Sequence, residues 1–377
     1  MSATERIPEP RPTPPLSLLG SDRAALAAWM AQAGEAAFHA RQILAWVHQR
    51  GIVDCDRMTD LSRTLRARLA EAAEMRRLPV LARDRDADGT EKWLFQVDDR
   101  NAVEAVVIPD EDRRTLCLST QAGCVLHCAF CATGAQGFSR NLTSAEIVAQ
   151  LWQVWHAGST GASERPIHNV VFMGMGEPLA NYAALSPVLH LLTDDCAYGF
   201  SKWRVTVSTA GLVPVIDRLA SEHDVALAVS LHAARDELRD RLVPINRVHP
   251  LEDLLGAMRR YAARHPDREV LVEYVMLDGV NDTPADAREL IRRLAGIPVK
   301  VNLIPFNPYP GSPYLRPDPD RVRRFQEILL AKGVTATLRT TRGEDILGAC
   351  GQLALSPSPA LIMESSTWKT IDFSTPV

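Results

Sequence analysis

Cys117-Leu-Ser-Thr-Gln-Ala-Gly-Cys124-Val-Leu-His-Cys128-Ala-Phe-Cys131 places three thiols at Cys-x3-Cys-x2-Cys spacing. Iron–sulfur cubes in electron carriers take four cysteine ligands. Three ligands leave one iron open, and an open iron can chelate the amino and carboxylate groups of S-adenosylmethionine (SAM) and pass an electron into its sulfonium. The carbon–sulfur bond then breaks to give a 5′-deoxyadenosyl radical, chemistry that belongs to the cofactor. A structural zinc ion is the plainer reading of clustered cysteines, but it needs four ligands. His127, the immediate neighbour of Cys128, is badly placed to close that tetrahedron. Cys124, Cys128 and Cys131 are therefore expected to hold one [4Fe–4S] cluster.

Outward from the triplet, β-rich apolar runs recur at Thr115–Ser119, Asn169–Gly174, Arg204–Thr209, Ala226–His232, Val270–Leu277 and Val299–Phe306, with helical stretches between them. Thr143-Ser-Ala-Glu146 is a capping box that opens the first crossover helix, and Ile147, Leu151 and Val154 form its apolar stripe. Six strand–helix alternations predict a parallel α/β architecture. The near-continuous run Val225-Ala-Leu-Ala-Val-Ser-Leu231 fits a sheet covered on both faces, or the wall of a partial barrel.

Reactive residues in such folds collect at the carboxyl ends of strands. The polar motifs obey that rule: Gly174-Met-Gly176-Glu177-Pro178 follows the second run, Ser208 ends the third, Ser230-Leu231-His232 the fourth, and Asn307 the sixth. Glycine lets backbone approach a ligand closely, and Glu177 offers a carboxylate to SAM's amino group. Ser208, His232 and Asn307 could reach its carboxylate, ribose or adenine. Cys350, between Gly348 and Gly351, reads as a reactive thiol on a mobile loop, and Cys117 lies near the reacting centre at the same rim. Cys55 and Cys196 read as small buried hydrophobes.

With 377 residues, 46% hydrophobic and 23% charged, the composition is that of an ordinary soluble protein. No apolar run approaches the ~18 residues of a membrane span, and the N-terminus lacks a secretory pattern. Seven cysteines, an odd number, argue for a reducing cytoplasm rather than a disulfide framework. The net charge of −4 gives no overall nucleic-acid signature. Between Arg57 and Arg77, six arginines against three acids leave a local +3, on helices striped by Phe38, Ile43, Trp46 and Val47 and by Leu61, Leu65 and Leu69. The expected organisation is a disordered proline-rich tail over 1–20, a helical RNA-binding accessory domain over 21–91, a core over 92–346, and a C-terminal segment over 347–377 that carries Cys350.

From about residue 92 to 353 the chain resembles the dual-specificity RNA adenine-C2 methyltransferases of bacteria, the RlmN type of radical-SAM enzyme. The matching stretches include Gln121–Thr143, Met173–Asn181, Ser230–Ala233, Val243–Asn246, Glu273–Asp278, Asn302–Pro305 and Ala349–Leu353. The resemblance implies a partial (β/α)6 radical-SAM barrel with a small N-terminal helical domain, a [4Fe–4S] cluster, and SAM held by Gly176, Glu177, Ser208, Ser230, Leu231, His232 and Asn307. It also implies methylation of adenosine 2503 in 23S rRNA and adenosine 37 in some tRNAs, by a monomer supplied with electrons by a donor such as flavodoxin. Cys350 would carry a methyl group, Cys117 would resolve the enzyme–RNA adduct through a Cys117–Cys350 disulfide, and Glu104 would accept a proton. As a lone Glu in an alternating strand, Glu104 could equally be an exposed residue. Antibiotic-resistance relatives that methylate C8 of the same adenosine share these motifs. A glycyl-radical activase or a zinc-stabilised RNA-binding module would leave the Cys350 motif or the Gly-Glu-Pro rim unexplained.

Overall fold

The computed structural model describes residues 16–157 and 165–353. An N-terminal unit contains β1 (Leu16–Ser17), α1 (Arg23–Gln32), α2 (His39–Leu44, continued by a wide helical turn over Ala45–Gln49), α3 (Arg63–Ala72) and β2 (Ala73–Glu74). Then come β3 (Val80–Arg85), β4 (Glu91–Gln96), β5 (Ala102–Asp110) and β6 (Arg113–Cys117), followed by β7 (Gln121–Gly123), α4 (Ala132–Gln136), β8 (Phe138–Asn141) and α5 (Ser144–Ala157). The remaining elements alternate: β9 (Asn169–Phe172), α6 (Tyr182–Thr193), β10 (Val205–Thr209), α7 (Val213–Glu222), β11 (Ala226–Ser230), α8 (Asp236–Leu242), α9 (Leu251–Arg264), β12 (Val270–Met276), α10 (Pro284–Leu294), β13 (Val299–Pro305), α11 (Pro319–Leu330) and β14 (Thr335–Leu338).

One ten-stranded sheet runs β14-β13-β12-β11-β10-β9-β6-β5-β4-β3. From β6 to β14 every pairing is parallel, whereas β3 to β6 pair antiparallel. The six expected strand–helix units are present, with β14 as an additional closing strand. Among the described residues the sheet keeps two free edges, at β14 and β3, so the barrel is partial. The helix-facing positions of β12 and β13, such as Val272, Tyr274, Val301 and Leu303, are fully buried, as a parallel sheet with helices over it requires. At the start of α5, Thr143 Oγ1 accepts from Glu146 N at 3.2 Å and Glu146 Oε2 accepts from Thr143 N at 2.9 Å. That capping box is worth about 1 kcal/mol.

Three expectations need correction. Of the tail over 1–20, residues 1–15 lie outside the described residues, but Leu16 and Ser17 pair with Ala73 and Glu74, and Leu18 and Leu19 are buried. The helical unit expected over 21–91 ends near Glu74, because Val80–Arg85 is the edge strand of the large sheet and Glu91 opens its neighbour. Phe38 is 59% exposed and lies off the buried face that Ile43, Trp46 and Val47 share. The N-terminal unit also shares one continuous core with the barrel. Trp152 Nε1 donates to Val47 O at 2.8 Å, and Gln153 bonds both backbone polar groups of Leu78. The stretch after Leu353, like 1–15, falls outside the described residues.

Candidate active site

The cysteine triplet is held by a tight local fold. Cys124 N donates to Gly137 O at 2.8 Å, and Cys131 N donates to Cys128 O at 3.1 Å to close the turn before α4. Gly134 lies so close beneath this turn that a Cβ there would meet Cys128 N and O at 2.9 Å. His127 adopts φ 52° and puts Nδ1 3.2 Å from Gly134 O, within the loop's own framework. Val125, Leu126 and Phe130 bury the turn in a second small core with Ala233, Leu242 and Phe306.

Cys124, Cys128 and Cys131 line one cavity. Burial pushes all three thiols up, and the neighbouring thiols push Cys124 and Cys128 further. Metal binding would displace those protons. Four thiolates around one zinc stand about 3.8 Å apart, given ~2.3 Å bonds in a tetrahedron. Among the described residues only Asp194, Asp195 and Cys196 bring three ligand atoms within 4.8 Å of one another. The triplet sulfurs are not all within 4.8 Å of one another, a wider spread than that of thiolates around one zinc.

The cavity's opposite wall comes from the strand ends. Gly174 has Leu118 O and Ser119 Oγ 2.7 Å from where a Cβ would stand, and Gly176 has φ 100° with Gln121 just as near. No side chain fits there, so the backbone itself forms the wall. Glu177 Oε1 accepts from Leu179 N at 3.1 Å and Oε2 from Ala210 N at 2.9 Å. Burial pushes its carboxyl up to about 7 despite these bonds. His232, at φ 58°, accepts from Val275 N on Nδ1 at 3.0 Å, which leaves the proton on Nε2. Burial pushes its pKa down to about 3, so the ring is neutral. Ser208, Ser230 and Asn307 line the same cavity. Leu231 does not: strand alternation turns its fully buried side chain into the main core, and its carbonyl accepts from Arg239 Nε.

Cys350 also lines the cavity. Its loop is well anchored rather than loose. Asn307 Nδ2 donates to Cys350 O at 3.3 Å, and Ala132 N donates to Gly351 O at 2.8 Å. On the other flank, Asp88 Oδ2 accepts from Gly343 N at 3.0 Å and Asp86 Oδ2 from Asp345 N at 3.2 Å, both from the turn joining β3 and β4. Between the anchors the chain doubles back, with Gly348 N donating to Gly343 O at 2.8 Å. Cys117, buried at the end of β6, lies outside the cavity lining but within electrostatic reach of Cys350. Its thiol is pushed up to about 12, by burial first and by Cys350 second, with Arg339 opposing.

Glu104 is 1% exposed, so the exposed alternative falls; its Oε1 stands 3.2 Å from Lys92 Nζ. Like Cys117 and Leu231, it is not among the residues that line the cavity. Two residues escaped the sequence reading. Arg339 is held charged by Cys350, Glu273 and Cys117 together. Glu273 lines the cavity with Oε2 bonded to Asn302 Nδ2 at 2.8 Å, while its buried Oε1 has no partner among the described residues. A lone carboxylate in Val270-Leu-Val-Glu-Tyr-Val-Met276 was the available signal for Glu273. The orphaned oxygen fits a cavity built to receive a ligand's donor.

Comparison with known proteins agrees with this geometry. Residues 16–75 match the ribosomal RNA large subunit methyltransferase N-terminal domain (RlmN_N), and residues 118–294 match the radical SAM superfamily. The chain is 51% identical over 340 residues to the dual-specificity RNA methyltransferase RlmN of Marinobacter nauticus, covering 90% of this chain and 92% of the relative. The RlmN protein of Halorhodospira halophila is 55% identical over 340 residues, with 90% and 93% covered. A crystal structure of a radical SAM methyltransferase from Sphaerobacter thermophilus superposes with a TM-score of 0.83 at 45% identity, covering 90% of this chain and 99% of the other. An RlmN-type N-terminal unit, a radical-SAM barrel and this degree of identity along nine-tenths of the sequence leave one assignment: the chain belongs to the dual-specificity RNA methyltransferase RlmN family.

Proposed function

We propose that this protein methylates C2 of adenosine 2503 in 23S rRNA and of adenosine 37 in some tRNAs, using two SAM molecules and an S-methyl-Cys350 intermediate. The observation that supports the reading is that two thiols, Cys350 on the cavity wall and Cys117 at the end of β6, lie within electrostatic reach of each other and of the Arg339 guanidinium.

C2 of adenine lies between two ring nitrogens and is electron-poor, so it does not attack the electrophilic methyl of SAM. A sulfur does. The Cys350 thiolate takes the methyl, and S-adenosylhomocysteine leaves. A [4Fe–4S] cluster held by Cys124, Cys128 and Cys131 supplies, when bound, the electron that cleaves a second SAM to the 5′-deoxyadenosyl radical. Gly176, Glu177, Ser208, Ser230, His232 and Asn307 orient SAM, with Glu177 pairing its ammonium group. The S-methyl group of Cys350 gives up a hydrogen atom to the 5′-deoxyadenosyl radical and its carbon adds to C2; the unpaired electron left on the adduct would return to the cluster that supplied it, so no outside oxidant is consumed. Glu104, neutralised by Lys92, accepts the C2 proton. Cys117 then attacks the Cys350 sulfur, the carbon–sulfur bond breaks towards carbon, and the released carbon is protonated to the product methyl. The resulting disulfide is returned to thiols by cytoplasmic reductants. The target base must leave its stack, which single-stranded loop bases do at least cost. A soluble cytoplasmic monomer drawing electrons from a flavodoxin-like donor completes the reading; among the described residues no helix is long and apolar enough to cross a membrane.

The test is an anaerobic assay with methyl-labelled SAM and rRNA fragments, followed by nucleoside analysis. A methyl at C2 supports the reading; a methyl at C8 moves the protein to the resistance-type chemistry. Cys117→Ala should stall as a nuclease-sensitive covalent protein–RNA species, and Cys350→Ala should form none. If neither variant traps RNA, the methyl-carrier mechanism is wrong.

A further inference from the structure

Arg239 is among the largest fully buried side chains of the protein. Nε donates to Leu231 O at 3.0 Å, Nη1 to Asn246 Oδ1 at 2.9 Å, and Nη2 to Ala210 O at 2.5 Å and Ser230 O at 3.2 Å. Every one of these acceptors is neutral. Among the described residues no carboxylate lies within ion-pair distance of the guanidinium. Asp236 and Asp240 act on it only from farther off, and both accept from Asn246 Nδ2. Neutral partners satisfy the donors but not the charge, and a buried unpaired charge is retained only where an anion offsets it.

The Cys128 sulfur lies within electrostatic reach of Arg239, as do Asp236 and Asp240. Cys128 and Arg239 are mechanically joined as well: α8, which carries Arg239, ends at Leu242, whose carbonyl accepts from Ala129 N, next to Cys128, at 3.0 Å. The fork also ties together the ends of β10 and β11 that present Ser208, Ser230 and His232 to the cavity.

The geometry points to Arg239 as the buried counter-charge of the iron–sulfur cluster, the residue that offsets the negative charge of cluster plus thiolates and favours the state carrying one more electron. It rests on the cluster reading given above. Arg239 is a positioning residue: it lies outside the cavity lining, and acts through the triplet and the strand ends.

The test uses the full chain, anaerobically reconstituted, with the cluster's midpoint potential read by redox titration under electron paramagnetic resonance. Arg239→Gln keeps donors but removes the charge, and should disfavour reduction at least tenfold, a downward shift of about 59 mV for one electron. Arg239→Lys restores a charge without the fork and should keep the potential near that of the wild type while weakening SAM binding, because the strand-end carbonyls lose their donors. A merely structural role would not order the potentials by charge. An unchanged potential in Arg239→Gln overturns the inference. Should that variant fail to fold, a tenfold loss in Arg239→Lys overturns it equally, since the charge is present there. Absence of any cluster signal in the wild type would instead defeat the cluster reading itself.

Discussion

Replacing Glu177 separates its two duties, because the structure shows what each substitution leaves behind. Glu177→Ala removes the acceptors of Leu179 N and Ala210 N. Each buried N–H left without a partner costs roughly 1–3 kcal/mol, so stability should fall by roughly 2–6 kcal/mol. That is a large part of the roughly 5–15 kcal/mol that holds a typical domain together. Glu177→Gln keeps one carbonyl oxygen, so it strands one N–H rather than two and loses about half as much. The ammonium of SAM sees no such difference, since both variants remove the charge. The lost charge-assisted bond, roughly 1.5–3 kcal/mol, should weaken SAM binding roughly ten- to a hundred-fold in either. Urea unfolding and equilibrium SAM binding on anaerobic, reconstituted protein give the two scales. The expected stability order is wild type, Gln, Ala, with SAM affinity equally reduced in the last two. Wild-type SAM affinity in folded Glu177→Gln would refute the ion pair. An affinity that follows the stability order would show that Glu177 acts only through the fold.

Cys128→Ala should lose the cluster and all SAM cleavage, checked by iron content and 5′-deoxyadenosine formation. The buried Cys117 thiol, pushed up to about 12, should make resolution of the RNA adduct accelerate about tenfold per pH unit between pH 7 and 9, because the thiolate is the nucleophile. Arg339→Leu, which removes the opposing cation, should slow that single-turnover step at every pH in the range. Arg57→Glu with Arg63→Glu, both on the exposed face of the N-terminal unit, should weaken RNA binding and flatten its salt dependence, by about 0.7–0.9 in log–log slope for each phosphate no longer neutralised; an unchanged slope would show that this face is only solvated.

The barrel strands were legible because strands buried on both faces must be apolar nearly throughout, and Val270–Met276 is, with Glu273 its one charged residue. The triplet was legible because its spacing is chemistry written locally. Val80–Arg85 was not: its Val-Leu-Ala-Arg-Asp-Arg is mostly exposed on an edge and has no periodic stripe to betray it. Arg239 hid for the opposite reason. Within Asp236-Glu-Leu-Arg-Asp-Arg-Leu242 it looks like one charge on a solvated helix, and only tertiary packing sets it apart from Arg241, which is exposed. That the Leu231 side chain turns away from the cavity is not legible either, because adjacency to Ser230 and His232 says nothing about the face a strand turns to it. The anchoring of the Cys350 loop depends on partners some 255 residues away along the chain, at Asp86 and Asp88, which no local pattern announces.

That loop gives its sulfur little room to travel. Asn307 holds the Cys350 carbonyl and Ala132 holds that of Gly351, the very next residue, so the Cys350 Cα stays within about 3.8 Å of a fixed neighbour. On the mechanism proposed above, one sulfur meets a methyl donor, then a nucleobase, then Cys117. A short lever on a fixed pivot keeps those appointments by swinging its side chain, with the barrel strands and the cysteine turn undisturbed. The donor and the base then have to be delivered to the sulfur rather than the reverse.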